Sequence, residues 1–348
     1  MIRPDLSHLP AYVPGARNDA AVKLSSNEIA EGPLPSVKAA MAGSLDTVNR
    51  YPDMGAIELR TTLARHLGLS VEQVAVGTGS SALCQQLVNI TAQPGDDVIF
   101  PWRSFEAYPI FVHIAGANPV PVALTSDYRV DLAGLAAAIT DDTKLIFVCN
   151  PNNPTATTIT TREWREFMSA VPADVLVALD EAYFEYNFSG TSPIGTEEIT
   201  AYRNVVGLRT FSKAYGLAGA RVGYAFGPVE IIEALNKVAV PFSVSSVAQV
   251  GALASLDMHD ELQQRVETTA EQRERLAEAL TGLGSPKSQT NFVWIPAESI
   301  SIAPEELAAT LARNNVLVRA FPEGIRVTVT TAEETDAFLT AWKKSYTG

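Results

Sequence analysis

Lys213 stands in TFSKAYGLAGARVG, residues 210–223, between Ser212 and Ala214, with Arg221 eight positions later. The chain carries only 26 lysines and arginines against 39 aspartates and glutamates, so two cations in one small, glycine-punctuated segment need a reason. A partly desolvated lysine loses its proton readily and can condense with a carbonyl group; a lysine snorkelling from a strand edge reads the same way. Asp180 closes the apolar run VLVALD and is followed by Glu181, Ala182 and Tyr183. A carboxylate at the end of a buried strand needs a cation or hydrogen-bond donors. A protonated heterocyclic nitrogen would serve, and so would the backbone of a segment that the Asp caps. Asn153 lies in CNPNNPT, where two prolines set a turn after a strand. Its amide either braces that turn or is offered to a ligand. GTGSS, residues 77–81, joins VAV to the helix-like ALCQQL. Its glycines, Gly79 among them, allow close backbone approach, a helix N-terminus presents free N–H groups, and Ser80 and Ser81 add hydroxyls: the parts of a phosphate cradle. Thr210, Ser212 and Arg221 can complete it with two more hydroxyls and a forked guanidinium. The spacing matches neither GxGxxG nor GxxxxGK[ST], which weakens a dinucleotide or nucleoside-triphosphate reading.

These clusters all fall where an apolar run stops. DDVIFP, KLIFVCN, DVLVALDEAY and NVVGLRTF are apolar up to their polar ends and alternate with segments of helical period such as SFEAYPIFVHIAG and TREWREFMSAV. Strands of that kind predict an α/β fold: a mostly parallel sheet between two helical layers. Ligands of such sheets bind beyond the carboxyl ends of the strands, where the polar clusters lie. From about residue 244 the pattern changes to two helices, SVSSVAQVGALASL and DELQQRVETTAEQRERLAEAL, then NFVWI, the helix PEELAATLARNN, the strand pair VLVRA and GIRVTVT, and a closing helix. That predicts a smaller α+β domain. The Pro-, Gly-, Asn- and Ser-rich start predicts an extended arm packed with it. The expected division is an arm over 1–35, a large domain over 36–243 and a small domain over 244–348.

Composition narrows the function. With 47% hydrophobic and 19% charged residues the chain reads as an ordinary globular protein, and its net charge of −13 argues against nucleic-acid binding. Cys84 and Cys149 sit in hydrophobic runs, as buried thiols of a reducing compartment do. No apolar run approaches the roughly 20 residues of a membrane span. MIRPDLSHLP lacks a basic-then-apolar signal pattern, so the expected location is the cytoplasm. His8, His66, His113 and His259 are scattered without ligand spacing, and no metal is expected.

In the order GTGSS, NPNNPT, DEAY and TFSKAYGLAGARVG, the four clusters resemble the fold-type I pyridoxal-phosphate aminotransferases. Within them the sequence is similar to the histidinol-phosphate branch, and there to the actinobacterial aromatic (phenylalanine) aminotransferases. The likeness runs from KLSSNE and NRYPD to GIRVTVT. It implies an aspartate aminotransferase-like large domain, with pyridoxal 5'-phosphate joined to Lys213. Asp180 would pair with the pyridine nitrogen, Tyr183 and Asn153 with the phenolic oxygen, and Phe105 would stack on the ring. Gly79, Ser80, Thr210, Ser212 and Arg221 match phosphate-binding positions. Tyr51 matches a tyrosine reaching the phosphate of a second subunit, which implies a homodimer. Arg326 matches the arginine that grips the substrate α-carboxylate, while Tyr12 and Asn27 match arm residues that close over the substrate. The implied reaction is ping-pong amino transfer between Phe, Tyr or Trp and 2-oxoglutarate.

Departures from the family pattern sharpen this. NPNNPTG reads NPNNPTA, a change at Ala156 expected to be minor, and NENPYGP reads NEIAEGP. Ser81 and Ala82 replace polar residues that would partner an imidazole, which favours an aromatic hydrocarbon substrate. Arg319 remains at a position that grips a substrate phosphate, which keeps histidinol-phosphate aminotransferase as the alternative. A decarboxylase or lyase on the same scaffold, and a non-catalytic cofactor sensor, are the other readings of these motifs.

Overall fold

A computed structural model describes residue 18 and residues 20–346. The strands among them are, in chain order, β1 (Val22–Leu24), β2 (Val74–Gly77), β3 (Asp97–Trp102), β4 (Asn118–Ala123), β5 (Thr143–Cys149), β6 (Leu176–Asp180), β7 (Val205–Thr210), β8 (Gly223–Phe226), β9 (Phe292–Pro296), β10 (Val316–Phe321) and β11 (Gly324–Thr328). KLIFVC has no polar face because β5 has no solvent face. Ile146 and Val148 enter one core while Leu145 and Phe147 enter another on the opposite side. Helices cover both sides: Ile57–Leu67 and Thr161–Ala170 contribute Leu59, Leu63, Trp164 and Phe167 to the first core. Ser80–Thr91, Tyr108–Ala115 and Val229–Val238 contribute Leu83, Leu87, Val112 and Ile232 to the second. This is the three-layer arrangement that continuous apolar strands predict.

The seven strands run in the order β2-β8-β7-β6-β5-β3-β4. The pairings from β7 through β6, β5 and β3 to β4 are parallel, so the loops after β3, β5, β6 and β7 leave at one edge. Strand β8 is antiparallel to both β2 and β7, so it starts at that same edge, two residues beyond Arg221. One edge of the sheet thus gathers every polar cluster read from the sequence.

A second sheet has the order β1-β10-β11-β9 over a core including Leu24, Val293, Ile295, Leu307, Ile325 and Phe338. Here the arm contributes a strand, Val22 to Leu24 pairing in parallel with Val316 to Val318. Arg319 of β10 lies opposite Arg326 of β11 in an antiparallel ladder, so both side chains leave the same face of the sheet.

Helix Ser246–Leu256, read as the first element of the small domain, belongs to the large sheet's core, with Ala248 and Ala252 buried there. Its small residues permit close packing against helix Pro35–Ser44: a Cβ at Gly251 would stand 2.9 Å from Met41 Sδ. Its small residues account for the change in pattern near residue 244.

Candidate active site

Asp180 ends β6 with only 4% of its surface exposed. Its carboxylate accepts from Tyr108 Oη at 2.6 Å and from the Ala182 N–H at 3.2 Å. Burial nevertheless raises its pKa, outweighing the Tyr108 and Ala182 donors that lower it. Such a carboxylate stays ionised most readily with a cation facing it. Tyr108 is held for its task by stacking on Phe147, ring centres 4.4 Å apart.

Lys213 follows β7 by three residues, and its Nζ donates to the Ser26 carbonyl at 3.3 Å. Burial first, then the neighbouring Arg326 cation, lowers its pKa from 10.5 to about 8. About one molecule in ten is then an unprotonated nucleophile at pH 7, far more than for an exposed lysine.

Gly79 caps helix Ser80–Thr91 without a side chain, at φ 80°. A Cβ there would lie 2.4 Å from Arg221 Nη2, so the guanidinium can rest on the helix start only because residue 79 is glycine. Arg221 Nη1 donates to Ser212 Oγ at 3.3 Å, and Ser212 Oγ accepts from Thr210 Oγ1 at 3.0 Å. A guanidinium, two hydroxyls and the uncapped N–H groups of a helix start together suit a phosphate ester.

The turn after β5 divides its labour. Asn152 braces it, accepting from Ser104 Oγ at 2.8 Å and donating to Thr155 Oγ1 at 2.8 Å, while Asn150 Oδ1 accepts from the Ile159 N–H at 3.0 Å. That leaves Asn153 for the cavity, where its Oδ1 accepts from Arg326 Nη1 at 2.6 Å. Arg326 Nη2 also donates to the Ser25 carbonyl at 2.6 Å. Tyr183 Oη accepts from Asn27 Nδ2 at 2.8 Å, and the ring stands edge-on to Phe292.

Asn27, Asn153, Asp180, Tyr183, Thr210, Ser212, Lys213, Arg221 and Arg326 line one cavity of about 470 Å³, together with Ser80, Phe105 and Arg319, and Gly79 is outside that lining. One anticipated residue stands well apart. Tyr51 is 82% exposed and packs on Phe242 with ring centres 4.6 Å apart, outside the cavity lining. Tyr12 lies outside the described residues. Ala156 is buried at φ 65°, the left-handed region that disfavours a side chain by about 1 kcal/mol or more. Sequence reasoning missed Tyr108, Glu106, Ile110 and Phe111. Phe105, Tyr108 and Phe111 recur every third residue, a trace of one helical face that the sequence does carry.

The family model for aminotransferase class I and II matches residues 19–341. The chain belongs to this family. Among relatives of this aminotransferase is an aromatic amino acid aminotransferase of Corynebacterium diphtheriae, 60% identical over 99% of the chain and 100% of the relative. A histidinol-phosphate aminotransferase of Sinorhizobium meliloti, solved in complex with pyridoxal-5'-phosphate, superposes with a TM-score of 0.90. It is 28% identical over 99% of this chain and 97% of that one. A mutant aspartate aminotransferase of Thermus thermophilus, 24% identical with TM-score 0.85 and 99% of both chains covered, shares the fold.

Class I and II aminotransferases depend on pyridoxal phosphate, and the cavity of this one fits that group. It offers a nucleophilic amine in Lys213, a buried anion for a protonated ring nitrogen in Asp180, an aromatic face in Phe105, and an anion cradle at Gly79 and Arg221 that a Cβ would fill. Among the described residues no helix is long and apolar enough to cross a membrane.

Proposed function

We propose that this aminotransferase exchanges the amino group between aromatic amino acids and 2-oxoglutarate. One observation carries the reading: beyond Phe105, Ile110 and Phe111 form an apolar wall in the same cavity as Arg326 and Lys213. An α-carboxylate held at Arg326 leaves an aromatic side chain room on that wall. The relative from Corynebacterium diphtheriae, matched end to end, supports the assignment. To seat its phosphate at Arg319, histidinol phosphate would have to displace Glu106, both of whose oxygens accept from that guanidinium.

Bound pyridoxal phosphate supplies the aldehyde that takes up the amino group and a ring that accepts electrons when the substrate Cα–H bond breaks. The chain's own residues do the rest. Asp180 holds positive charge at the ring nitrogen, with Tyr108 fixing the carboxylate. Lys213 Nζ takes the Cα proton as general base and returns it as general acid, a role suited to a pKa of about 8. Arg326 forks onto the α-carboxylate, Asn153 and Tyr183 steady the group's phenolic oxygen, and Ser80, Thr210, Ser212 and Arg221 bind its phosphate. Asn27 of the arm closes over the substrate. In this reading the arm and the sheet carrying Arg326 form a small closing domain, whose movement would exclude water.

The reading includes a homodimer. Leu45, Val48, Met54 and Val240 are all more than half exposed and lie near Tyr51 or its ring partner Phe242 in the sequence, and exposed apolar side chains grouped in this way suit an interface. A second copy covering them would bring Tyr51 to the partner's phosphate cradle. The buried free thiols of Cys84 and Cys149 support a reducing, cytoplasmic setting.

The test is a rate comparison. Purified protein loaded with pyridoxal phosphate should form phenylpyruvate from phenylalanine and 2-oxoglutarate, with histidinol phosphate turned over at least tenfold less efficiently and Lys213→Ala inactive with both. A preference for histidinol phosphate would reverse the assignment.

A further inference from the structure

An amino transfer of the proposed kind asks one cavity to accept two unlike side chains in turn, an uncharged aromatic ring and a distal carboxylate. The cationic end of this cavity is already occupied by a side chain of the protein. Arg319 Nη2 donates to Glu106 Oε1 at 3.1 Å and to Oε2 at 2.9 Å. Both residues line the cavity, with 18% of the Arg319 side chain and 29% of the Glu106 side chain exposed. Arg319 stands beside Arg326 on the same face of the sheet. A ligand whose α-carboxylate sits at Arg326 therefore meets a second guanidinium one strand away. Glu106 follows Phe105 and precedes helix Tyr108–Ala115, which carries Ile110 and Phe111, so the acid is mounted on the apolar wall itself.

We propose that Glu106 is a specificity-determining residue that neutralises Arg319 while an aromatic side chain is bound and surrenders it to the distal carboxylate of a dicarboxylic acceptor. The exchange is carboxylate for carboxylate, so the number of charges at Arg319 is the same with either substrate. An aromatic ring leaves the ion pair intact and never faces an uncompensated cation. A dicarboxylate must compete with Glu106, which tempers its binding and stops the acceptor from excluding the donor. Specificity here is a difference between two affinities, set by a built-in competitor.

The proposal rests on the aromatic reading of the site, and its test separates the two. Wild-type enzyme, loaded with cofactor, is titrated with two unreactive analogues, glutarate and 3-phenylpropionate, alongside Glu106→Gln and the double variant Glu106→Gln with Arg319→Gln. In Glu106→Gln, glutarate should bind about tenfold more tightly and 3-phenylpropionate more weakly, and the KM for 2-oxoglutarate should fall relative to that for phenylalanine. Adding Arg319→Gln should abolish the gain for glutarate. An unchanged ratio of the two affinities in Glu106→Gln, or equal weakening of both, overturns the proposal even if the wild type transaminates phenylalanine. Failure of the wild type to transaminate any aromatic amino acid would instead remove the reading on which it rests.

Discussion

Replacing Lys213 by methionine should make the cofactor-free protein more stable while abolishing turnover. The wild-type lysine titrates at about 8 in the fold, against 10.5 when exposed. Between those values the unfolded chain binds more protons than the folded one, so stability rises with pH across that window. Below pH 8 the folded protein carries the full penalty of a buried cation, and above 10.5 it carries none. At 1.36 kcal/mol per pH unit the penalty is about 3 kcal/mol at pH 7 and about 1 kcal/mol at pH 10. Both are upper values, since the side chain keeps some solvent access through the cavity. Methionine removes the charge and fills similar volume. The thermal midpoint of cofactor-free Lys213→Met should therefore exceed that of the wild type by several degrees at pH 7 and by much less at pH 10. A variant equal to or below the wild type at pH 7, or a difference independent of pH, would refute the claim that Lys213 is held partly desolvated for reactivity.

Tyr108→Phe removes the shorter of the two hydrogen bonds that Asp180 accepts from Tyr108 and the Ala182 N–H, and a buried carboxylate left short of a partner costs about 1–3 kcal/mol. Chemical denaturation should register that loss, and kcat should drop more than KM changes. Gly79→Ala puts a methyl 2.4 Å from Arg221 Nη2 at a backbone angle that resists it. Equilibrium dialysis should find pyridoxal phosphate bound at least about tenfold more weakly. Ala156→Gly relieves a left-handed alanine, about 1–2 kcal/mol, but removes a buried methyl worth about 0.8 kcal/mol and adds backbone entropy. Its unfolding free energy should shift by less than about 1 kcal/mol, and a loss above about 2 would mean that residue 156 is not strained. Met54→Asp with Val240→Asp should turn dimers into monomers in sedimentation runs; monomers already in the wild type would count against the shared site.

Contacts close in sequence, or imposed by the shared edge of a parallel sheet, were legible in the chain. Lys213, Asp180 and the GTGSS turn follow from apolar strands that stop at polar residues, because parallel strands bring all such ends together. Glycine at 79 was readable as close approach, although the group approaching it, Arg221, was not. What stayed hidden are side-chain pairs across long separations. Tyr108 meets Asp180 over 72 residues and Arg319 meets Glu106 over 213, and neither residue type announces its partner. Which core helix Ser246–Leu256 joins stayed hidden for a related reason. Its small residues fit either neighbour, and only the three-dimensional packing against Met41 decides between them.

The central claim is that amino nitrogen leaves an aromatic amino acid, is held on this protein, and passes to a 2-oxo acid through Lys213 chemistry. Enzyme saturated with pyridoxal phosphate can be mixed with [15N]phenylalanine alone, freed of small molecules, and then given 2-oxoglutarate. The account predicts about one phenylpyruvate per subunit in the first step and an equal amount of [15N]glutamate in the second. Phenylpyruvate without transferable label, or no phenylpyruvate until both substrates are present, would contradict it.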